Sequence, residues 1–146
     1  MKDRKFFIKK ILVDVAENLS AKNNHKAFYT YKKGYLADAD IFAHKFISNA
    51  IQKDFPDDLV YSEEDVNSFS NEIQKDSFLW MIDPICGSAN FIKRFPFYVH
   101  ALSVFDRNGV LYSGVYHPDC NDLFLADRKG TTLNGRNVNV SGVQKL

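Results

Sequence analysis

A carboxylate, a proline and a Gly-Ser pair follow one another directly after an apolar run of this chain. The segment reads Phe78-Leu79-Trp80-Met81-Ile82-Asp83-Pro84-Ile85-Cys86-Gly87-Ser88. A buried strand can hold Asp83 at its carboxyl end, and Pro84 stops ladder pairing. Gly87 and Ser88 can aim backbone N–H groups at an anion where a helix begins. This order predicts a metal-and-phosphate site, although Cys86 lies where a second carboxylate would be expected.

Helices are expected before the sheet that would carry this site. Apolar residues recur at helical spacing over residues 3–21, which predicts an amphipathic helix. A second apolar stripe from Phe42 to Ile51 predicts another helix. Asp40 would cap the start of this helix, and Pro56 would end it.

The strand pattern begins at Leu59–Tyr61 and continues at Phe78–Ile82, with a polar excursion between them. From Tyr98 onward the pattern is a meander, and Asn108-Gly109 is its strongest hairpin signal. The strands predicted for the meander are Tyr98–Phe105, Val110–His117 and Leu123–Ala126. The fold class is therefore α+β, with two N-terminal helices packed on one face of an antiparallel sheet, in a single domain of residues 1–146.

Three separated segments share their motifs with one known family. They are Tyr35–Asp40, Ser62–Glu64 and Trp80–Ser88. In these segments the chain resembles the inositol monophosphatase family of Mg²⁺-dependent phosphomonoesterases, with its Leu-Val-Thr-x-Ala-Asp, Gly-Glu-Glu and Asp-Pro-Ile/Leu-Asp-Gly-Thr motifs. Gly114–Pro118 and Leu133–Gly135 continue the similarity. The resemblance implies the first half of the layered family fold; the second half, with a further metal-binding carboxylate in a Trp-Asp-x-Ala motif and much of the substrate pocket, is expected to be absent.

The resemblance also implies a set of metal ligands. Glu63 and Asp83 would be carboxylate ligands of Mg²⁺, and the Ile85 backbone carbonyl would be another. Cys86 takes the place of the carboxylate that bridges to a second metal, and its soft thiol suits zinc or copper better than Mg²⁺. We therefore expect weak Mg²⁺ binding at one site at most.

Catalytic and phosphate-binding roles follow from the same resemblance. Ser88 keeps the hydroxyl of the family's Thr, and together with Glu63 it would orient the attacking water. The N–H groups of Gly87 and Ser88 would hold the phosphate. Asp40 would stabilise the residues that bind metal and phosphate without binding either one itself.

Each of these residues also has a purely structural interpretation. Glu63 could belong to an ordinary solvated acidic loop, and Asp83 could cap a turn before Pro84. Cys86 could be an inert residue that fills space after an active site was lost. His100 lies in a strand pattern, where a hydrogen-bonded structural histidine is the commoner case.

Two functions remain open on the sequence alone. One is Mg²⁺-dependent hydrolysis of a small polyol or sugar phosphate, impaired or lost in this chain, with a bisphosphate nucleotide phosphatase as the alternative within enzymes. The other is a non-catalytic truncated family member that acts as a binding or regulatory protein, or a decaying fragment. The early stop and Cys86 together separate the two.

Charge and composition limit the partners. Lys and Arg number 19 against 18 Asp and Glu, so the net charge of +1 favours neither nucleic acid nor an anionic membrane. Charged residues interrupt the N-terminal apolar pattern, which argues against a signal peptide or a membrane span. Two cysteines are too few for a disulfide framework. We expect a cytoplasmic protein, and family dimers imply self-association.

Overall fold

Helices and a sheet alternate in the computed structural model, which describes residues 3–22, 27–30, 34–65 and 77–142. The helices are α1 (Arg4–Lys22), α2 (Asp38–Asp54) and α3 (Ser88–Ile92). The strands are β1 (Ala27–Thr30), β2 (Gly34–Ala37), β3 (Leu59–Ser62), β4 (Leu79–Cys86), β5 (Val99–Asp106), β6 (Gly109–His117), β7 (Asp122–Asp127), β8 (Gly130–Leu133) and β9 (Arg136–Val138). A 3₁₀ helix, Pro118–Cys120, joins β6 to β7. Among the described residues, no helix is both long and apolar enough to cross a membrane.

Seven of the strands form one sheet, in the order β3-β4-β5-β6-β7-β8-β9. The α+β class is confirmed, but the expectation of an entirely antiparallel sheet is wrong, because β3 and β4 are parallel. A parallel pair needs a long crossover connection, and the stretch between Ser62 and Leu79 is long enough to supply it. β1 and β2 form a separate antiparallel pair.

The helices cover one face of the sheet. α1 packs against β5 and β6, and α2 packs against β4. Alternate strand residues point into this core, as the period of two requires. The fully buried side chains include Ile8, Leu12, Val15, Ile47, Ile51, Trp80, Leu102 and Val104.

Element boundaries agree closely with the periodicity. α1 was expected at 3–21 and occupies Arg4–Lys22. α2 ends at Asp54, two residues before Pro56, as expected from the ring's effect on a helix. It begins at Asp38, so Asp40 lies in the first turn and is not the cap. Gly109, at a backbone φ of +102°, completes the hairpin predicted at Asn108-Gly109.

A partly buried ion pair connects the start of α1 to the sheet. Arg4 donates through Nε and Nη2 to both oxygens of Asp58, at 3.0 and 2.9 Å. The Trp80 indole Nε1–H donates to the same carboxylate at 2.8 Å. The Arg4 guanidinium also lies over the Phe78 ring, 3.8 Å from its centroid. Planar, two-point pairing of this kind fixes geometry as well as charge.

The closest approach of α1 to the sheet is at Gly114 of β6. A Cβ atom there would lie 2.4 Å from Ile8 Cγ2 and 2.8 Å from Leu12 Cδ1. Both distances are shorter than van der Waals contact, so α1 can pack this closely against β6 only because Gly114 has no side chain.

We therefore predict that Gly114→Ala lowers the free energy of unfolding by about 1–3 kcal/mol, the usual cost of overpacking a core. Gly142→Ala is the control, because a Cβ there meets no atom within 4 Å. Urea unfolding of the two variants and the parent measures the difference. Equal midpoints for both variants would show that the helix shifts freely.

Candidate active site

The parallel pairing of β3 and β4 brings two carboxylates together. Ser62 is in register with Ile82 at the end of the ladder, and the next residues are Glu63 and Asp83. Because the strands are parallel, both residues lie at the same end of the β3–β4 ladder. The two side chains are hydrogen-bonded to each other. The sequence had placed both acids at strand ends, but only the parallel pairing makes them neighbours.

Glu63 is poised to change charge near neutral pH. Burial of its carboxyl, then the charge and hydrogen bond of Asp83, raise the pKa of Glu63 from 4.5 to about 7. The charges of Glu64 and Asp40 contribute less. A proton on Glu63 relieves the repulsion between the two carboxyl groups.

A surface cavity of about 310 Å³ opens beside this pair. Its lining residues are Tyr61, Glu63, Met81, Ile82, Asp83, Ala101, Leu102, Ser103 and Phe105. The cavity lies on the strand face opposite the helices, since Met81, Ala101 and Ser103 alternate with the buried core residues. Its size is at the lower end of small-molecule sites.

Asp83 is the residue whose surroundings fit a cation ligand best. Its Oδ1 atom is buried and has no hydrogen-bond partner among the described residues. Buried polar atoms are normally paired, so such an atom calls for an explanation such as an ion. Together with Glu63 and the Ile85 carbonyl, it offers the hard oxygen donors that Mg²⁺ prefers.

Cys86 departs from that donor set. It is exposed, and a hydrogen bond to Asp83, then burial and the charges of Asp83 and Glu63, raise the pKa of its thiol. The thiol is therefore protonated at neutral pH, whereas metal ligation requires the thiolate. In the parts of the chain that the structure describes, no group of three or more His, Cys, Asp and Glu side chains is arranged to hold a metal. The residues present fit one Mg²⁺ incompletely.

Gly87 turns the chain from β4 into α3. Its backbone φ is +102°, and a Cβ atom there would lie 2.9 Å from the Phe97 carbonyl oxygen. Both the conformation and the space favour glycine. Asn90 Nδ2 donates to the same carbonyl at 2.7 Å, which closes the loop around Gly87.

Ser88 connects three elements through its hydroxyl. Its Oγ lies 2.8 Å from Asp40 Oδ1 on α2 and 3.0 Å from the Ile85 carbonyl oxygen on β4. Both partners accept, so they share the single hydroxyl proton, and Oγ faces other groups only as an acceptor. Asp40 is fully buried. Asp40, Ser88 and Ile85 are therefore joined by one hydroxyl group.

The structure locates three further features that sequence reasoning missed or left aside. β4 continues through Pro84 to Cys86, although Pro84 was expected to stop the ladder, because the register shifts at this point. His100 accordingly lies against Pro84, with Nδ1 on the Pro84 carbonyl oxygen. Its Nε2 atom is buried without a partner among the described residues. Glu64 and Asp65 lie in a tight turn closed by the Asp65 N–H on the Ser62 carbonyl oxygen.

Comparison with known proteins agrees with this arrangement. The sequence model of the inositol monophosphatase family matches residues 7–146. This chain belongs to the inositol monophosphatase family. The match runs through every motif that carried the resemblance.

Two curated relatives are similar over most of this chain. It is 32% identical to the Nus factor SuhB of Escherichia coli K12, over 139 residues that cover 90% of this chain and 50% of SuhB. It is 30% identical to the Nus factor SuhB of Vibrio cholerae over 129 residues, which cover 84% of this chain and 46% of that protein. The chain spans about half the length of the curated relatives it matches.

Solved structures share the same fold. An IMPase of Thermotoga maritima superposes with a TM-score of 0.85 at 28% identity, covering 97% of this chain and 55% of that one. A staphylococcal inositol monophosphatase, soaked with lithium chloride, gives a TM-score of 0.82 at 20% identity and covers 100% and 57%. At that second identity, the likeness shows the fold alone.

The Glu63–Asp83 pair predicts a stability that depends on pH. A raised pKa in the folded state favours folding fully below the unfolded value near 4.5, and this contribution is lost as the pH rises through 7. Glu63→Gln removes the charge and keeps a donor toward Asp83. It should stabilise the metal-free protein at pH 8 by about 1 kcal/mol, after discounting for the exposure of Glu63, and change little at pH 4.

Chemical denaturation at both pH values measures this difference. Glu17→Gln, on the exposed face of α1, controls for the change in net charge. An equal effect of the two variants at pH 8 would contradict the paired-carboxylate interpretation.

Proposed function

We propose that this chain supplies the metal-binding and phosphate-binding half of an inositol monophosphatase-type site, for a small phosphorylated polyol or sugar. The observation that carries the proposal is the Glu63–Asp83 pair, where an unpartnered buried oxygen of Asp83 lies beside an acid whose pKa is raised to about 7. Paired carboxylates of this kind cost free energy in a folded protein, which favours a functional explanation.

In this proposal Glu63, Asp83 and the Ile85 carbonyl hold one Mg²⁺. When bound, the ion neutralises phosphate oxygens and the leaving oxygen. Glu63 would also orient the attacking water, because its second carboxylate oxygen can accept a hydrogen bond from that water. The Ser88 hydroxyl, whose proton is engaged by Asp40 and Ile85, accepts a hydrogen bond from the same water.

Phosphate would bind at the start of α3. The N–H groups that open a helix have no partner within it, and Gly87 allows the backbone to approach an anion closely. We assign the phosphate to the N–H groups of Gly87 and Ser88. Asp40 supports them indirectly, since it fixes the Ser88 side chain from α2.

Two features weaken the proposed activity of this chain by itself. Cys86 offers a protonated thiol where a carboxylate would bridge to a second metal, so one Mg²⁺ site at most is expected. The chain also covers 50% of the E. coli relative, and the whole relative's activity need not be retained by that half. Weak or absent turnover is therefore part of the proposal, and a bisphosphate nucleotide remains the alternative substrate.

We predict that Mg²⁺ binds with a dissociation constant of about 1 mM or weaker, as for weak oxygen-ligand sites. Asp83→Asn should abolish the binding, because it removes the charged ligand. Cys86→Asp alone should raise hydrolysis of a polyol phosphate very little, since one added ligand does not by itself hold metal, water and phosphate in one geometry. Titration calorimetry and phosphate release measure the two effects.

Zinc provides a second comparison in the same titrations. If the Cys86 sulfur reaches the metal, Zn²⁺ binds more tightly than Mg²⁺, and Cys86→Ser removes that preference. Two tight Mg²⁺ sites per chain would contradict the single-site proposal. Strong turnover by the parent chain, lost with Asp83→Asn and with chelator, would contradict the proposed impairment.

A non-catalytic binding role is the second candidate. The observation in its favour is Cys86, whose protonated thiol lies against Asp83 in place of a metal-bridging carboxylate. Relatives at 30% and 32% identity carry the name Nus factor, so members of this family are not all named for phosphatase activity. Binding without turnover would show as wild-type partner affinity in the Asp83→Asn variant.

The sheet face opposite the helices supports self-association as a further part of the proposal. Met81 and Phe124 on this face are 39% and 38% exposed, although both are large and apolar. Val115 and Phe124 are paired across β6 and β7, so the apolar surface is continuous between these strands. Exposed apolar patches of this kind typically mark interfaces.

We predict that the chain self-associates through this face and that Phe124→Lys shifts it toward monomer. Phe6→Lys is the matched control, because Phe6 is exposed on α1 at the opposite side of the sheet. Sedimentation velocity across a concentration series measures the change. A concentration-independent monomer for the parent chain would rule out this association.

A further inference from the structure

Strand β4 contains a β-bulge, in which two residues face a single residue of β5. Along the β4–β5 ladder, Asp83 pairs with Ala101 and Cys86 pairs with Val99. Pro84 and Ile85 on β4 therefore oppose only His100 on β5. Two residues against one is the definition of a bulge, a feature that often re-aims side chains next to active sites.

The backbone of Pro84 is not hydrogen-bonded as in a regular ladder. It has no N–H to donate, and in a bulge its carbonyl lacks a regular ladder partner. His100 supplies one, since Nδ1 lies within hydrogen-bond distance of the Pro84 carbonyl oxygen. His100 is fully buried, and Pro84 is among the fully buried side chains as well. The contact is thus inside the protein, where a lost hydrogen bond is not replaced by water.

The surroundings of His100 fix its ring and its tautomer. A carbonyl oxygen can only accept, so the proton must be on Nδ1. Burial lowers the pKa of His100, which keeps the imidazole neutral and leaves Nε2 without a proton. The Tyr98 ring packs edge-on against the imidazole at 5.8 Å between centroids, and Phe91 packs edge-on against Tyr98 at 5.0 Å.

We propose that His100 is a positioning residue for the site: its Nδ1–H holds the Pro84 carbonyl and so fixes the bulge between Asp83 and the Ile85 carbonyl. This inference rests on the proposed function, in which those two groups bind the metal. His100 does not touch the metal or the substrate; it acts through the backbone that carries the ligands. Asp83 and Ile85 flank Pro84 directly, so a change in the bulge changes the separation of the two ligands.

The first test uses the unaltered chain. Side-chain ¹⁵N NMR at neutral pH should show the Nδ1–H tautomer of His100, which is the less common neutral form. Detection of the Nε2–H tautomer would overturn the proposal, since Nδ1 would then have no proton to donate. This measurement needs neither metal nor activity.

The second test uses three variants. His100→Phe keeps a ring and removes the donor, whereas His100→Asn keeps an N–H donor near the Nδ1 position. Val104→Ala is the control, because Val104 is fully buried on the same strand and face but pairs with Trp80, away from the bulge. Hydrogen exchange of the Asp83 and Cys86 amides, at the two ladder positions that flank the bulge, and calorimetric Mg²⁺ affinity are measured for each, alongside global stability.

His100→Phe should speed exchange of these amides and weaken Mg²⁺ binding by about tenfold, as for residues that orient metal ligands. His100→Asn should stay within about threefold of the parent in both measurements, because the amide still holds the carbonyl. Val104→Ala should lower global stability and leave the bulge amides protected.

Equal effects of His100→Phe and Val104→Ala would reduce His100 to a core residue and overturn the proposal. Absence of Mg²⁺ binding by the parent chain would overturn the proposed function instead, and the tautomer and exchange results would still decide the role of His100.

Discussion

The repulsion between Glu63 and Asp83 is the constraint around which the rest of the site is arranged. Two carboxylates at one end of a strand pair disfavour each other when both are charged, and this repulsion adds to burial in raising the pKa of Glu63 to about 7. Only a parallel β3–β4 pair places them together; antiparallel strands would send them to opposite ends. The single parallel step in an otherwise antiparallel sheet is therefore what creates the site.

The contacts that fix the register of β3 and β4 lie at the opposite end of this strand pair. Asp58 precedes β3, and it receives hydrogen bonds from Arg4 of α1 and from Trp80 of β4. A slip of one residue would turn every side chain of a strand to the other face, so a bidentate anchor at the strand start fixes the positions at the strand end. α1 reaches this anchor because Gly114 lets it lie close to β6.

Sequence periodicity predicted the helices and the meander well because those signals are local. The apolar stripe of α1, the proline after α2 and the Asn108-Gly109 turn each act over a few residues. The parallel pairing of β3 with β4 depends on contacts distant in sequence, and no local pattern encodes it. The bulge at Pro84 was missed for a similar reason: proline predicts the end of a ladder, but the donor that lets β4 continue is His100 on the next strand. The motifs indicated candidate site residues, and the distances between those residues depend on the fold.

Cys86 changes the balance between stability and function at this site. A third carboxylate at that position would add a charge beside Asp83, whereas the thiol donates a hydrogen bond to Asp83 and is itself neutral. Asp83 in the cation-free protein therefore has two neutral partners, the Glu63 acid and the Cys86 thiol, which lower the cost of its charge. In the proposed Mg²⁺ site, the thiol would also supply no hard oxygen donor, which would weaken the affinity for Mg²⁺. Functional sites commonly hold like charges close together, which destabilises the fold unless a ligand is bound. A neutral residue in such a site lowers this electrostatic cost, so it favours folding over metal binding. The proposed site keeps its geometry through Asp40, Ser88 and the bulge held by His100. Cys86 lowers its negative charge, because a neutral thiol lies where a carboxylate would be expected.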